Sequence, residues 1–185
     1  MKIGISGSPC SGKTTLASML YSEFLKQGVE GAYLIHEYAK IHLASGGKIR
    51  GFNDQRLVGY KQMSVEAKLM STNFSPIICD SCVWMGKVYC EFANYYGEEG
   101  LPKYLQDIHD FKYDMNIFVP LPRTDGETSE FRIHNGTQSA KISYMMEQEL
   151  RSRDNVVYAP VNFNEREEFV KQLVTKWKEE YANEN

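Results

Sequence analysis

The stretch GSPCSGKTT (residues 7–15) decides the fold that we expect for this chain. It fits the pattern G-x-x-x-x-G-K-[ST], in which the fixed positions are Gly7, Gly12, Lys13 and Thr14. Glycines let the backbone curl until successive N–H groups point into one concavity, and a helix that starts there adds its positive end. Lys13 can then reach the β- and γ-phosphates, and the Thr14 hydroxyl can ligate Mg²⁺. The loop therefore predicts a nucleoside triphosphate site.

The segments on either side of the loop have the character that such a site requires, a strand before it and a helix after it. KIGIS (2–6) is short, rich in apolar residues and bounded by glycine, which is typical of a strand. After the loop, apolar residues recur at helical spacing up to a glycine that favours a stop: Leu16, Met19, Leu20 and Phe24, then Gly28. The sequence meets both requirements.

The composition is that of a compact protein. The 185 residues are 42% hydrophobic and 12% aromatic, enough for one core, so we expect 1–185 to form a single domain. The formal net charge of −3 does not indicate a large nucleic-acid surface. No window approaches the length of a membrane span, and the first strand runs straight into the loop without a signal peptide. We therefore expect a cytoplasmic location.

Strand-like and helix-like segments alternate along the rest of the chain. Strands are predicted at 2–6, 31–37, 75–81, 113–121 and 155–161. Helices are predicted at 54–72, 82–95, 101–109 and 138–151, and again where Phe169, Leu173, Trp177 and Tyr181 recur every four residues. Because strands alternate with helices, we expect an α/β fold with a parallel sheet that helices cover on both faces.

The cysteines (Cys10, Cys79, Cys82 and Cys90) raise the question of a redox or metal site. Cys79 and Cys82 form a C-x-x-C pair, which occurs in redox pairs and in halves of zinc sites. The pair straddles the end of an apolar strand, no second such pair is near it, and the histidines show no metal-ligand spacing. We therefore expect reduced thiols packed near the sheet.

Two carboxylates follow predicted strands, at the edge where open parallel sheets bind ligands. Asp80 ends the apolar run IICD, where it can hold Mg²⁺ directly or through water; the alternative is an ordinary strand-end turn. Glu37 follows the second strand in LIHEYAK, where it can accept the proton of an attacking hydroxyl. The alternative for Glu37 is a solvated glutamate that caps the next helix. Which carboxylate acts as base and which as metal ligand stays open here.

A polar loop at about 122–138 is the candidate lid. It contains glycine, lacks apolar periodicity and carries Arg123, Arg132 and His134 between a strand and a helix. Such a loop can close over a nucleotide, exclude water and bring an arginine onto the transferring phosphoryl group. We take Arg132, beside Phe131, as that arginine; the alternative is an ordinary surface loop.

The order of these parts resembles that of the small P-loop kinases of nucleosides and nucleotides. The resemblance is greatest to the nicotinamide riboside kinase domain of the NadR type and its AAA-like, often phage-encoded, relatives, in which an E-Y-A-[RK] segment follows the second strand. It covers residue 2 to about residue 175. It implies a three-layer P-loop NTPase fold with five parallel strands in the order 2-3-1-4-5. It also implies ATP and Mg²⁺ as the donor pair, and an acceptor bound over the segment between strands two and three.

The resemblance also assigns residues to roles. The residues that would cradle the phosphates are Gly7, Ser8, Pro9, Cys10, Ser11, Gly12, Lys13, Thr14 and Thr15. Thr14 and Asp80 would ligate Mg²⁺, and the catalytic set would be Lys13, Glu37, Asp80 and Arg132. The loop at 161–163 would face the adenine.

The acceptor is the least defined part. Thymidylate-kinase-like enzymes place an arginine directly after the strand-three aspartate, whereas here Ser81 follows Asp80, which favours a neutral hydroxyl over a monophosphate. A planar base could be bound by Tyr38, Phe52, Gln62 and Trp84, although aromatics at such spacing are also typical of a core.

Three functions remain open on the sequence alone. The leading hypothesis is a kinase that transfers the γ-phosphoryl group of ATP to a nucleoside-like or nucleotide-like small molecule. The second is a kinase of a hydroxyl on DNA, for which the basic residues at 40, 48, 50, 56, 61 and 68 would form the track; interleaved carboxylates favour the small molecule. The third is a nucleotide-dependent switch with a protein partner. Monomer and homodimer both remain open.

Overall fold

The computed structural model describes residues 1–121 and 136–181. Within these ranges, five strands and seven α-helices alternate along the chain. Their order is β1 (Lys2–Ser6), α1 (Lys13–Lys26), β2 (Tyr33–Ile35), α2 (Tyr38–Ala44), α3 (Phe52–Met70), β3 (Ile77–Cys79), α4 (Met85–Phe92), α5 (Leu101–Asp110), β4 (Met115–Phe118), α6 (Gly136–Leu150), β5 (Val156–Tyr158) and α7 (Arg166–Tyr181). A short 3₁₀ helix (Phe163–Glu165) precedes α7.

The strands form one parallel sheet in the order β2-β3-β1-β4-β5, which confirms the predicted order. β1 is central and wholly buried, with Ile3 opposite Ile78 of β3 and Ile5 opposite Ile117 of β4. Because every strand runs in the same direction, all carboxyl ends meet at one edge. The segments that follow β1, β2 and β3 therefore come together there.

The first strand has its predicted bounds, the other four strands are shorter than predicted, and one helix was missed. β2 covers Tyr33–Ile35 of the predicted 31–37, and β3 covers Ile77–Cys79 of the predicted 75–81. The polar residues that follow them lie at the carboxyl edge of the sheet, where the Asp80 N–H still donates to the Ile35 carbonyl oxygen at 2.9 Å. The missed helix, α2, is only seven residues long and has no buried residue, so it is too short to show a repeated apolar stripe.

Helices α1 and α7 cover one face of the sheet. Phe24 of α1 and Trp177 of α7 meet edge to face, with their ring centroids 5.1 Å apart. The predicted stripe on α7 is displaced by one residue at its start: Val170 and Val174 are buried, whereas Phe169 and Leu173 pack at the margin of the cluster. A closing helix with an apolar stripe is confirmed, and the stripe runs through Val170, Val174 and Trp177.

Helices α3 to α6 lie on the opposite face, which completes three layers. Trp84, at the start of α4, is fully buried with Met146 of α6, and Tyr104 of α5 is fully buried beside Phe52 of α3. Cys79 and Cys82 are buried free thiols at the sheet, Cys90 is a buried free thiol among helices α3 to α5, and Cys10 is an exposed free thiol. In the two described ranges, no helix has the combination of length and apolar character needed to cross a bilayer.

Candidate active site

The loop between β1 and α1 depends on its two glycines. Gly7 has a φ of 149° and Gly12 a φ of 90°, both in the range that favours glycine. A Cβ on Gly7 would lie 2.5 Å from the carbonyl oxygen of Val119, and one on Gly12 would lie 2.5 Å from Nη1 of Arg166. Gly12 precedes α1 and supplies no side chain to cap it, so the first N–H groups of α1 point into the loop.

Lys13 lies at the centre of this loop. It is buried, and its Nζ donates a hydrogen bond to the carbonyl oxygen of Ser8 at 3.0 Å. Burial lowers the pKa of Lys13, while the nearby Glu37 and Asp80 carboxylates act in the opposite direction. The ammonium group is thus held by the backbone that would surround a phosphate.

Two serine hydroxyls of the loop have no hydrogen-bond partner among the described residues. They are Ser8 Oγ and Ser11 Oγ, and both side chains are buried. Buried polar atoms in folded proteins are almost always hydrogen-bonded, so such atoms around one loop indicate a place where a polar ligand binds. This observation fits a phosphate-binding loop.

The predicted carboxylates and Thr14 meet beside the loop, and a lysine joins them. Nζ of Lys40 lies 3.1 Å from Oε2 of Glu37 and 3.5 Å from Oδ2 of Asp80. The same Nζ donates to the Thr14 hydroxyl. Burial lowers the pKa of Lys40, but the two carboxylates outweigh burial and raise the pKa above its ordinary value.

Glu37 occupies the N-cap position of α2 but does not cap the helix with its side chain. It stands directly before α2, but its side chain makes no capping hydrogen bond and turns towards Lys40 and the loop. The side chain is therefore neither a capping group nor fully solvated: it is 16% exposed and paired with Lys40. Its role as a base stays a prediction.

Asp80 is almost fully buried, with 1% of its surface exposed. Burial raises the pKa of Asp80, opposed by Lys40 and by a hydrogen bond with the Thr14 hydroxyl, and its Oδ1 has no partner among the described residues. A hydroxyl and a carboxylate are the hard oxygen donors that Mg²⁺ takes in proteins. The ammonium of Lys40 between them shows that the geometry accepts a cation, so these residues fit the metal.

Arg166, at the start of α7, was missed by the sequence reasoning. It is 1% exposed, and it donates from Nη1 to the carbonyl oxygen of Ser11 and from Nε to that of Pro160, both at 3.0 Å. It therefore joins the phosphate loop to the segment after β5. Val161 and Phe163 of that segment are about half-exposed. No local pattern could reveal this contact, because Ser11 and Arg166 are 155 residues apart in the chain.

A cleft of about 640 Å³ opens beside the phosphate loop. Its lining includes five loop residues, Glu37 and Lys40, and the aromatic side chains of α4 and the segment after it: Pro9, Cys10, Gly12, Lys13 and Thr14, then Tyr89, Phe92 and Tyr95. A smaller pocket adjoins it and shares Glu37, Gln55 and Tyr89 with it. The structure thus brings the nucleotide loop and the carboxylate edge to one opening.

The four residues named for a planar base divide between the two alternatives given for them. Phe52 and Trp84 belong to the core, whereas Tyr38 and Gln62 line the smaller pocket. Gln62 is fixed there, since it accepts from the Tyr38 backbone N–H and donates to Glu66, each at 2.9 Å. Arg123, Arg132, His134 and the lid up to residue 135 lie outside the described residues, so their roles stay predictions.

Comparisons with solved structures identify the class of fold. NadR in complex with NAD and AMP-PNP aligns with a TM-score of 0.67 over 96% of this chain at 17% identity, and this chain spans 48% of NadR. Thymidylate kinase from Ehrlichia chaffeensis gives 0.63 at 15% identity, covering 95% of this chain and 97% of that one. Deoxyadenosine kinase from M. mycoides with bound dCTP gives 0.58 at 13% identity, covering 95% and 100%.

The chain therefore has the fold of the small P-loop nucleoside and nucleotide kinases, which confirms the resemblance predicted from its motifs. The family model for the AAA domain matches residues 2–180, and the chain belongs to that family. No curated protein sequence matches it.

Proposed function

We propose that this protein is a kinase that uses ATP and Mg²⁺ to phosphorylate a hydroxyl of a nucleoside-like small molecule. The observation that carries the proposal is the meeting of Lys13, Thr14, Glu37 and Asp80 at one edge of the sheet, beside the phosphate loop. Lys13, Thr14 and Glu37 line one cleft, and the buried Asp80 lies behind them, 3.5 Å from the Lys40 ammonium that also lines it. The fold is one on which kinases of such acceptors are built.

Each of these residues would have a separate role in phosphoryl transfer. The backbone N–H groups of the loop and the ammonium of Lys13 would hold the β- and γ-phosphates, at the positive end of α1. Thr14 and Asp80 would hold Mg²⁺, which when bound neutralises charge on the phosphate oxygens. Glu37 would accept the proton of the acceptor hydroxyl while the oxygen of that hydroxyl bonds to the γ-phosphorus. The bond from that phosphorus to the bridging oxygen breaks, and ADP leaves. Arg132 would complete the site from the lid.

The cleft favours an acceptor without a phosphate of its own. Within the described parts of the chain, no arginine lines the cleft or its smaller neighbour; the cations are Lys13 and Lys40. Lys13 is needed for the nucleotide, and Lys40 is paired with Glu37 and Asp80. Ser81, which follows Asp80, contacts the Met85 sulfur and offers no charge. A neutral sugar hydroxyl therefore fits better than a monophosphate.

Aromatic side chains also line the cleft. Tyr89, Phe92 and Tyr95 lie on one wall. Planar rings of this kind stack on planar ligands, so the wall suits a heterocyclic base. The adenine of ATP would lie at the opposite end of the phosphate loop, against the half-exposed Val161 and Phe163.

Formation of ADP from Mg·ATP, followed with a panel of acceptors, tests the proposal. The panel contains nucleosides, including nicotinamide riboside, then nucleoside monophosphates, then single-stranded and double-stranded DNA. We expect one nucleoside to raise the rate at least roughly tenfold over the rate without acceptor, and Lys13→Met to remove that increase.

Two other outcomes of the same assay would support the alternative functions. A rate that rises only with DNA would replace the proposal with a DNA kinase. A rate that no acceptor raises would indicate a nucleotide-dependent switch instead.

A further inference from the structure

Lys40 occupies an unusual place for a lysine that is half exposed. It lies in the first turn of α2, and its ammonium contacts one group from each of three separate segments: Glu37 before α2, Asp80 after β3 and Thr14 of α1. A surface lysine pair contributes little, because holding a long side chain costs entropy. Here three acceptors converge on one cation, and one of them, Asp80, is nearly fully buried.

Two of these three acceptors are the groups that fit Mg²⁺. Mg²⁺ binds oxygen at about 2.1 Å, so a metal held by Thr14 and Asp80 would lie between these oxygens. That is the space into which the Lys40 ammonium projects. An ammonium and a divalent cation repel each other and cannot both be bound there.

Resting on the metal site of the proposed function, we propose that Lys40 is a tethered counter-cation that competes with the metal. In the nucleotide-free protein it neutralises Glu37 and Asp80 and weakens the binding of free divalent cations. When a metal arrives with the phosphates of ATP, the ammonium leaves Thr14 and Asp80 on its flexible stem and keeps its pair with Glu37 at the cleft that it already lines. The metal therefore enters with the nucleotide rather than before it.

The binding of free Mn²⁺ to the nucleotide-free, full-length protein tests this role. Electron paramagnetic resonance of unbound Mn²⁺ gives the Kd for wild type, for Lys40→Met and for the control Lys48→Met. The control removes the same charge from an exposed lysine near the cleft that has no contact with either carboxylate among the described residues. We expect Lys40→Met to lower the Kd for Mn²⁺ roughly tenfold, and Lys48→Met to change it less than about twofold.

A second variant locates the metal. Adding Asp80→Asn to Lys40→Met should remove the gain, because it removes the proposed ligand. The proposal is overturned if Lys40→Met binds Mn²⁺ no more tightly than wild type, if it shows no measurable binding, or if the gain survives Asp80→Asn. None of these titrations involves an acceptor, so they separate the role of Lys40 from the kinase proposal, which the acceptor panel tests in wild type.

Discussion

Replacing Arg166 with methionine should weaken both the fold and nucleotide binding. The buried guanidinium makes two hydrogen bonds, to the carbonyl oxygens of Ser11 and Pro160. Hydrogen bonds from a charged donor contribute about 1.5–3 kcal/mol each. Burial lowers the pKa of Arg166, which shows that desolvation opposes part of this gain. We therefore expect a net loss of about 2–4 kcal/mol in the free energy of unfolding.

Urea denaturation and calorimetric titration with ATP measure the two effects. For a slope of about 2 kcal/mol per molar urea, the midpoint should fall by about 1–2 M. The Kd for ATP should rise roughly tenfold, about 1.4 kcal/mol, because the Ser11 carbonyl is no longer fixed.

Arg153→Met is the matched control for this effect. Arg153 is also a buried arginine, paired with Glu149 at 2.8 Å and lying over the Trp84 ring, but it is not part of the phosphate loop. We expect it to lose stability with no change in the Kd for ATP. An unchanged Kd in Arg166→Met would refute the reasoning that Arg166 positions the loop.

Three further substitutions test other parts of the site. Lys13→Met should reduce acceptor-dependent ADP formation by about 10²–10³-fold without loss of thermal stability, since it removes a phosphate contact and a buried charge; full activity would exclude Lys13. Glu37→Gln should lower kcat by about 10²–10⁴-fold and leave the Kd for ATP within about twofold; unchanged turnover would remove it from the mechanism. Burial raises the pKa of Glu66 in the folded protein above its ordinary value of 4.5. The protonated side chain therefore contributes its full stability below about pH 4.5, and this contribution is lost as the pH rises through the raised pKa of the folded protein. Glu66→Gln lacks this titration and should gain stability relative to wild type as the pH rises above about 4.5, measured by urea denaturation; a constant difference would contradict the raised pKa.

Much of the fold was predictable because its signals are local. The glycine and lysine spacing of the loop and the short buried strands indicated the sheet, and the resemblance supplied the strand order. Helix α2 was missed since none of its residues is buried. The ends of β2 and β3 were placed too late because polar residues there continue the strand pattern in sequence, although the ladder has ended in space.

The part of the site that follows from strand order was predictable, and the contacts made by helices were not. Glu37 and Asp80 could be placed at the same edge because each follows a parallel strand. The contact of Lys40 with Thr14 joins residues 26 apart, and that of Arg166 with Ser11 joins residues 155 apart. Such contacts depend on how helices pack over the loop, which no local pattern records.

The most direct measurement of the central proposal follows the fate of the γ-phosphoryl group itself. ATP labelled with ³²P at the γ-position is incubated with Mg²⁺, the protein and the most effective nucleoside, and the products are separated. We predict that the label moves to the nucleoside in proportion to the ADP formed, with little inorganic phosphate. Label found only in inorganic phosphate, whatever the acceptor, would contradict a kinase and show that water is the group that receives the phosphoryl.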